Sequence, residues 1–426
     1  MTADPTMSDP DGVSAALAAV VREEWGRLMA LLLARFRRLD LVEDALGDAV
    51  EAAARTWGAD GIPDNPAAWL HTAARRRVLD RLRGEAMTHR KLPLLMTEAR
   101  HRQDRGSVMA DPGDLVEDDL LRLVLMCTHP ALAPEAASAL ALRLVLGVST
   151  AEIARLFLVP EATVAARITR AKKKIAAAGI PFAVPGRTDL PGRLDTVAQT
   201  AYLAFTAGYQ PGSGPDVVRT DVAGEAIRLV RVVLGLRPGE PVLVSLLALL
   251  LLQHSRRDAR TDAAGDLVLL PDQDRGRWHH DEIAEANALL VTLDAPRPIT
   301  VQAAAYLLQA RIAAEHANAP IAAATRWDRI VALYDDLLRL APSPPAQLAR
   351  AVALAEADGP RAGLAALADV QIPGSHRVPA VRAELLARAG DNAAAAAAYA
   401  EAIALCANDA ERTHLEHRAR EVGRAG

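Results

Sequence analysis

The spacing of hydrophobic and polar positions predicts α-helices along almost the whole chain. Before residue 84, apolar residues recur every three or four positions, as at Leu28, Leu31 and Leu32, with charged residues between such groups. This spacing places the apolar side chains on one face of an amphipathic helix. Helical spacing returns at 115–178 and continues from about residue 190 to the end of the sequence. We therefore predict an all-α protein.

The breaks between the helical stretches predict a modular chain. A length of 426 residues is enough for two to four domains that each bury a core. The polar stretch 85–114 and the proline-rich stretch 181–191 have the composition of connections between domains. The predicted divisions are a first helical domain at 13–84, a linker at 85–114, a second helical domain at 115–178, a helical domain at 190–290 and helical repeats at 300–426.

The last of these regions contains two aromatic and leucine-rich stretches of similar design. One runs from Trp327 through Tyr334 to Leu340, and the other runs from Leu385 to Tyr399 and beyond. Their spacing suits paired-helix repeats of the tetratricopeptide kind, whose period is about 34 residues. Stacked helix pairs expose an extended surface, so we expect this region to bind protein, either another part of the same chain or a separate partner.

Composition narrows the class of protein without deciding it. Hydrophobic residues make up 51% of the chain and aromatic residues 3%, which favours helices packed through small and branched side chains. The formal net charge of −4 is not that of a typical nucleic-acid binder. Binding depends on local patches rather than on the sum, however, so the charges have to be interpreted motif by motif.

Cysteine usage and the longest apolar run indicate the compartment. Cys127 and Cys406 lie far apart and lack neighbours at metal-ligand spacing, so we expect no metal site and a reducing cytoplasm. Residues 1–12 lack the basic start and apolar stretch of a signal peptide. The longest apolar run, Val242–Leu252, is about half of the roughly 20 residues that span a bilayer. We expect a buried helix there and no membrane segment.

A helix-turn-helix is predicted at Ser149–Ile175. Ser149 and Glu152 have the spacing of a capping box, in which each side chain bonds the other residue's backbone N–H at a helix start. Ala154 is small enough to let two helices approach closely, and Pro160 marks the turn. The predicted inner faces consist of Ile153, Ala154 and Phe157 on the first helix and of Val164, Ile168 and Ala171 on the second.

The outer face of the second helix carries candidate DNA contacts. In a helix-turn-helix, the N-terminal half of the second helix enters the major groove. The residues placed to meet bases or phosphates are Glu161, Thr163, Ala166, Arg167 and Arg170. The residues expected to meet the phosphate backbone are Lys172, Lys173 and Lys174. The alternative is a solvated basic helix on an ordinary bundle.

The first domain contains a second basic helix, at Trp69–Arg83. Its apolar residues anchor one side, which leaves another surface to Arg75, Arg76, Arg77, Arg81 and Arg83. The preceding loop, Trp57–Pro66, is rich in Gly, Pro, Asp and Asn, and suits an unstacked base held beside a phosphate-binding helix. Earlier still, Leu41–Glu51 is acidic with few basic neighbours. A basic protein partner and a solvated acidic face are both open interpretations of that helix.

In this order, the motifs resemble the extracytoplasmic-function sigma factors of bacterial RNA polymerase. Such proteins keep two helical domains joined by a linker, here 13–84 and 115–178. The resemblance implies a cytoplasmic, nucleoid-associated protein that binds promoter DNA and core RNA polymerase, the latter at the β′ clamp helices and the β flap. It also implies that the polymerase supplies the chemistry, so that the chain has no catalytic residue and no cofactor.

The resemblance also assigns roles to individual residues. Those that dock on the clamp helices would be Glu43, Asp44 and Asp48. Those that hold the promoter −10 element would be Asp64, Asn65, Trp69, Arg75, Arg76, Arg77 and Arg81. The outer face of the helix-turn-helix, with its three lysines, would contact the −35 element.

A narrower resemblance is to the subgroup of these sigma factors with a long C-terminal extension of helical repeats. It rests on the stretches Asp64–Leu70, His129–Leu132, Phe157–Thr163 and Asp272–Trp278. The extension would regulate the sigma domains, since fusion gives a high effective concentration.

Two other functions are open at this point. An enzyme would use the acids and histidines of 272–282, but His279 and His280 point to different helix faces, and no phosphate loop or nucleophile elbow accompanies them. The structural interpretation of this segment is an ion pair of Asp272 or Asp274 with Arg275 or Arg277, with Trp278 in the core. A DNA-binding regulator that never meets polymerase would need neither the arginine helix nor the acidic helix.

Overall fold

The computed structural model describes residues 10–89, 112–157, 159–209, 220–262 and 267–425. These residues form eighteen α-helices and no β-strand, and the structure is 78% helical. The prediction of an all-α protein is confirmed. Contacts divide the chain into two units, 1–200 and 201–426. Most of the predicted linker, residues 90–111, lies outside the described residues.

The first unit contains helices α1 to α7 and the beginning of α8. Their bounds are Pro10–Phe36 (α1), Leu39–Asp60 (α2), Pro66–His89 (α3), Pro112–Cys127 (α4), Pro134–Leu144 (α5), Thr150–Phe157 (α6), Glu161–Ala177 (α7) and Leu190–Tyr209 (α8). Helices α1, α2 and α3 pack against one another, and α4 lies along α1. Helix α7 packs on both α5 and α6.

Helix α2 shows why the core of α1 to α3 forms. Its buried residues include Leu46, Ala49, Ala53 and Trp57, which recur at intervals of three or four along one face. Trp57 is 1% exposed. An aromatic side chain of this kind buries about 150–250 Å² and contributes strongly to a core. Of the acidic residues of α2, Asp44 and Glu51 are exposed and Asp48 is partly exposed, whereas Glu43 is buried.

The second unit is a succession of helices in which each helix packs on the next. Their bounds are Thr220–Leu236 (α9), Pro241–His254 (α10), His280–Val291 (α11), Val301–Asn318 (α12), Trp327–Leu340 (α13), Pro344–Asp358 (α14), Pro360–Leu367 (α15), Arg377–Arg388 (α16), Asn392–Leu405 (α17) and Asp409–Ala425 (α18). Every residue of Val242–Leu252 is buried, which confirms the prediction of a buried helix. Across the described ranges, no helix is long and apolar enough to cross a membrane.

The segment after α10 supports the second unit through Trp278 and Arg275. Trp278 is 4% exposed, which confirms its predicted place in the core, and the guanidinium of Arg275 lies 4.4 Å from the ring centroid of Trp278. Arg275 donates to the backbone oxygens of His316 at 2.7 Å and Ala319 at 2.9 Å. The predicted pairing of Arg275 with an aspartate is therefore wrong, because its guanidinium instead binds two backbone carbonyl groups at the C-terminal end of α12.

Two further predicted residues of this segment, His279 and Glu282, belong to a charged cluster. The Glu282 carboxylate accepts from Arg257 at 2.9 Å and lies 2.9 Å from Nδ1 of His254. Nε2 of His279 lies 2.7 Å from a carboxylate oxygen of Asp258, and this hydrogen bond lowers the pKa of Asp258. The cluster fastens the start of α11 to the end of α10.

The partly buried imidazole of His316 makes the second unit sensitive to acid. Burial, helped by Arg256 and Arg275, lowers the pKa of His316 from 6.5 to about 4. Between pH 6.5 and 4, His316 therefore takes up a proton in the unfolded chain but not in the folded chain. The free energy of unfolding consequently falls as the pH drops from about 6.5 toward 4. The decrease in the free energy of unfolding that is due to His316 should reach roughly 3 kcal/mol. Urea unfolding at several pH values measures this decrease. In His316→Gln the free energy of unfolding should depend less on pH between 6.5 and 4. The same pH dependence in the variant and the wild type would contradict this role of His316.

Candidate nucleic-acid interface

The capping box that was predicted to start the helix-turn-helix is present. The backbone N–H of Ser149 donates to a Glu152 carboxylate oxygen at 2.9 Å, and the N–H of Glu152 donates to the Ser149 hydroxyl at 3.1 Å. The hydrogen bond from Ser149 lowers the pKa of Glu152. Helix α6 buries Ile153, Ala154 and Leu156. Phe157, which was predicted on this apolar face, is only partly buried, and Leu156 is buried in addition to Ile153 and Ala154.

Removing this cap should loosen α6 specifically. Ser149→Ala leaves the Glu152 N–H without its side-chain acceptor, and such changes cost about 1 kcal/mol. Amide hydrogen exchange in 150–157 should then speed up about fivefold. Thr169→Ala removes an exposed hydroxyl from α7 and serves as the control. Equal exchange in the two variants would show that the cap does not hold the helix start.

Helix α7 presents one apolar and one basic face. Val164, Ile168, Ala171 and Ile175 are buried. The predicted DNA-binding residues that are exposed are Glu161, Ala166, Arg170, Lys173 and Lys174, and those that are partly exposed are Thr163, Arg167 and Lys172. Within the described part of the chain, Arg167 and Arg170 have no carboxylate partner. Their charges are therefore available to an anionic ligand.

Comparison with known proteins assigns the helix-turn-helix. Residues 122–175 match the family described as Sigma-70, region 4, and residues 193–293 match a family of unknown function, DUF6596. Uncharacterized protein R00370 of Rhizobium meliloti (strain 1021) is 43% identical over 403 residues, which cover 92% of this chain and 93% of that protein. The chain belongs to the same family as R00370. No solved structure matches it.

The region 4 match supports a sigma factor family and a DNA-binding role in transcription initiation. It begins within α4 and ends within α7, so that α6 and α7 are the helix-turn-helix of region 4. The predicted helix-turn-helix is confirmed. Region 4 is a domain of a non-catalytic RNA polymerase subunit.

A buried ion cluster joins α2 to the region 4 domain. Glu43 of α2 is 7% exposed, and its carboxylate accepts from Nε of Arg143 on α5 at 3.0 Å. The same carboxylate pairs with the ammonium group of Lys172 on α7. The sequence predicts a polymerase contact for Glu43 and a DNA phosphate contact for Lys172. In this arrangement each of the two residues instead neutralises the other.

Two glycines let the region 4 domain pack closely on α1. A Cβ atom on Gly26 would lie 2.3 Å from the carbonyl oxygen of Val145, and a Cβ on Gly147 would lie 2.8 Å from Cγ of Trp25. Gly147 also has a φ of 74°, which favours glycine. The guanidinium of Arg143 lies 5.6 Å from the centroid of the Trp25 ring. We call these contacts the domain seam: Trp25, Gly26, Gly147, Glu43, Arg143 and Lys172.

Acidic residues of α2 pair with arginines of α3. Arg81 donates to Asp48 at 2.8 Å and lies 3.7 Å from Asp44, while Arg77 lies 3.6 Å from Asp48. The expectation that this acidic helix has few basic partners is therefore wrong. The arginines come from the next helix, about 30 residues later in sequence, where neighbours along the chain give no sign of them. Asp44 and Asp48, which are predicted to dock on the polymerase, therefore form one network of ion pairs with Arg77 and Arg81, which are predicted to hold the −10 element.

The other two predicted arginines of α3 are better placed for an external ligand. Arg76 is exposed and Arg75 is partly exposed. Neither has an ion-pair partner in the part of the chain that the structure describes. Arg75 also lowers the pKa of His71, after the larger effect of burial. One side of α3 thus keeps unneutralised positive charge.

That loop positions the remaining predicted residues. Oδ1 of Asn65 accepts from the backbone N–H of Ala68 at 2.9 Å, so Asn65 caps α3. The ring of Trp69 meets that of Trp57 edge to face, with centroids 5.6 Å apart. Asp64 is exposed at the tip of the loop. A fixed aromatic side chain, an exposed carboxylate and the start of a basic helix therefore lie together.

Proposed function

We propose that this chain is an extracytoplasmic-function sigma factor that binds core RNA polymerase and directs it to specific promoters. The observation that carries the proposal is a region 4 domain with an unneutralised basic face in one unit with a second basic helix, α3. A regulator that only binds DNA needs the first of these and has no use for the second. A sigma factor needs both, because it reads two promoter elements.

The basic face of α7 is the proposed −35 reader. Arg167 and Arg170 project from the helix that enters the major groove in this motif, and a bidentate arginine contact discriminates between bases by about 1–3 kcal/mol. Lys173 and Lys174 are exposed one turn further on, where phosphate contacts add affinity that salt weakens. Glu161, Thr163 and Ala166 complete the proposed surface at the start of the helix.

The loop and α3 are the proposed −10 site. An unstacked base of the non-template strand would bind beside Trp69 and Asp64, while Arg75 and Arg76 would hold the adjacent phosphates. Asn65 would act by fixing the start of α3. Arg77 and Arg81 would orient α3 through their pairs with the acids of α2.

Docking on the β′ clamp helices would use Asp44 and Asp48 first. Asp44 is 67% exposed and Asp48 is 35% exposed in the side chain, whereas Glu43 is buried in the domain seam. Glu43 can meet the polymerase only after region 4 moves away from α2. The β flap is the proposed partner of the region 4 domain once it has moved. The structure of the chain alone thus corresponds to a closed state, and polymerase binding favours opening.

The helices after residue 200 are the proposed regulatory extension. Their arrangement, each helix packed on the next, supports a tetratricopeptide-like surface that binds either the sigma domains or the polymerase. We place the protein in the cytoplasm at the nucleoid, where core polymerase and promoter DNA are found.

Co-elution with purified core RNA polymerase tests the proposal. The full chain should elute with core polymerase in gel filtration, and a major primary sigma factor added in excess should displace it. Elution as a separate peak at micromolar concentrations of both proteins would contradict the proposal. DNA binding by the free chain would then point to a regulator that acts without docking.

A further inference from the structure

Three side chains of different chemistry meet near the end of the second unit. His376 directly precedes α16, Cys406 directly follows α17, and Glu411 lies in the first turn of α18. Their potential ligand atoms, an imidazole nitrogen, the thiol sulfur and a carboxylate oxygen, all lie within 4.8 Å of one another. Cys406 is 5% exposed, while the other two are partly exposed.

The spacing of these atoms is close to that of a zinc site. Bonds of about 2.0–2.1 Å from zinc to nitrogen and oxygen place the two ligand atoms about 3.3 Å apart in a tetrahedron. Nε2 of His376 and Oε2 of Glu411 are 2.9 Å apart. A metal would therefore need to separate these two atoms by only a few tenths of an ångström, and the sulfur, which lies within 4.8 Å of both, would have to come to about 3.5 Å from each.

The backbone that carries two of the ligands is held by its own hydrogen bonds. The guanidinium of Arg412 donates to the carbonyl oxygen of Cys406 at 3.2 and 2.9 Å. Oδ1 of Asn408, a residue that is 2% exposed, accepts from the N–H of Glu411 at 3.0 Å. These contacts fix Cys406 and Glu411 relative to each other before any ligand binds, which lowers the entropy that binding has to remove.

We propose that His376, Cys406 and Glu411 bind one divalent transition-metal ion, Zn²⁺ by ligand chemistry, with water as the fourth ligand. Cysteine sulfur, histidine nitrogen and carboxylate oxygen are the three ligand types that zinc uses in proteins. The bond forms between the ion and the thiolate, and the thiol proton goes to solvent. The proposal replaces our sequence-based expectation of no metal site.

Without a cation, the thiol stays protonated, and Nε2 of His376 lies within hydrogen-bonding distance of the Glu411 carboxylate. Burial raises the pKa of Cys406, and its Sγ donates to the carbonyl oxygen of Asn408 at 3.4 Å. A bound metal ion would stabilise the thiolate form of this buried side chain. It would also cross-link the ends of α16, α17 and α18, which already pack through an apolar cluster around Tyr399 and through hydrogen bonds from Tyr399 and Arg418 to Glu384.

Titration of the chelator-treated full chain with zinc and with cobalt tests the site. We expect one Zn²⁺ per chain by calorimetry, a rise in the melting temperature, and an ultraviolet thiolate-to-Co²⁺ charge-transfer band. Cys406→Ser should remove the band, and His376→Ala and Glu411→Gln should each weaken zinc binding at least tenfold. His417→Ala alters an exposed histidine on α18, and Cys127→Ala removes the other cysteine. Both controls should keep full stoichiometry.

Two results would overturn the proposal. One is the absence of stoichiometric zinc binding by the folded wild-type chain. The other is a charge-transfer band that survives in Cys406→Ser or disappears in Cys127→Ala. Circular dichroism on each variant separates lost ligands from lost folding, and Glu411→Gln, the mildest change, keeps the test valid if Cys406→Ser unfolds.

Discussion

Replacing Arg167 and Arg170 together with alanine should abolish transcription from promoters that depend on a −35 element and should leave core polymerase binding unchanged. Both side chains lie on the outer face of α7, where neither supports the fold through an ion pair in the described residues. Each base contact contributes about 1–3 kcal/mol, so promoter affinity should fall about 100-fold or more. Transcript yield and footprinting at several salt concentrations measure the effect.

The salt dependence separates base contacts from phosphate contacts. An arginine that binds a phosphate lowers the slope of log affinity against log salt by about one when it is removed, whereas a base contact changes sequence preference. The matched control is the double variant Arg361→Ala and Arg424→Ala, which removes two exposed charges from the second unit. Equal losses in both double variants, or on promoters without a −35 match, would contradict the proposed −35 role.

Glu43→Gln should open the domain seam. The substitution leaves the cations of Arg143 and Lys172 without their carboxylate, and breaking a buried ion pair in this way destabilises a contact by about 3–5 kcal/mol. We expect faster amide exchange in 143–148 and around Gly26, and tighter DNA binding by the isolated chain, since Lys172 is released to a phosphate. Hydrogen exchange and DNA titration measure the two effects.

A substitution elsewhere on α2 provides the control for this prediction. Glu51→Gln removes one carboxylate from the same helix at a side chain that is 74% exposed, so it should change neither exchange nor DNA binding. Unchanged exchange at the seam in Glu43→Gln would show that the ion cluster does not hold the domains together. Lower affinity for core polymerase, with no change at the seam, would place Glu43 at the polymerase contact instead.

The features that the sequence predicted are those encoded over short distances. The capping box depends on two residues, Ser149 and Glu152, that are only three positions apart. The buried helix at Val242–Leu252 is predicted by one continuous stretch of mostly apolar residues. Each of these depends on local backbone geometry, which neighbouring residues determine.

The features that the sequence did not predict depend on residues that only the tertiary fold brings together. Arg143 lies 100 residues from Glu43, and no local pattern links them. Gly26, inside an otherwise regular helix, gave a weak signal, because a glycine there destabilises the helix and often marks a close packing contact. Likewise His376 and Cys406 lie 30 residues apart in sequence, so a search by cysteine spacing does not connect them.

Transcription reconstituted from purified core polymerase, this chain and genomic DNA of its own organism tests the central claim most directly. Sequencing of transcript 5′ ends should show start sites that core polymerase alone does not use. These sites should share a −10 and a −35 sequence at constant spacing. Identical 5′ ends with and without the chain, under conditions in which it is folded and binds DNA, would contradict its role as a sigma factor.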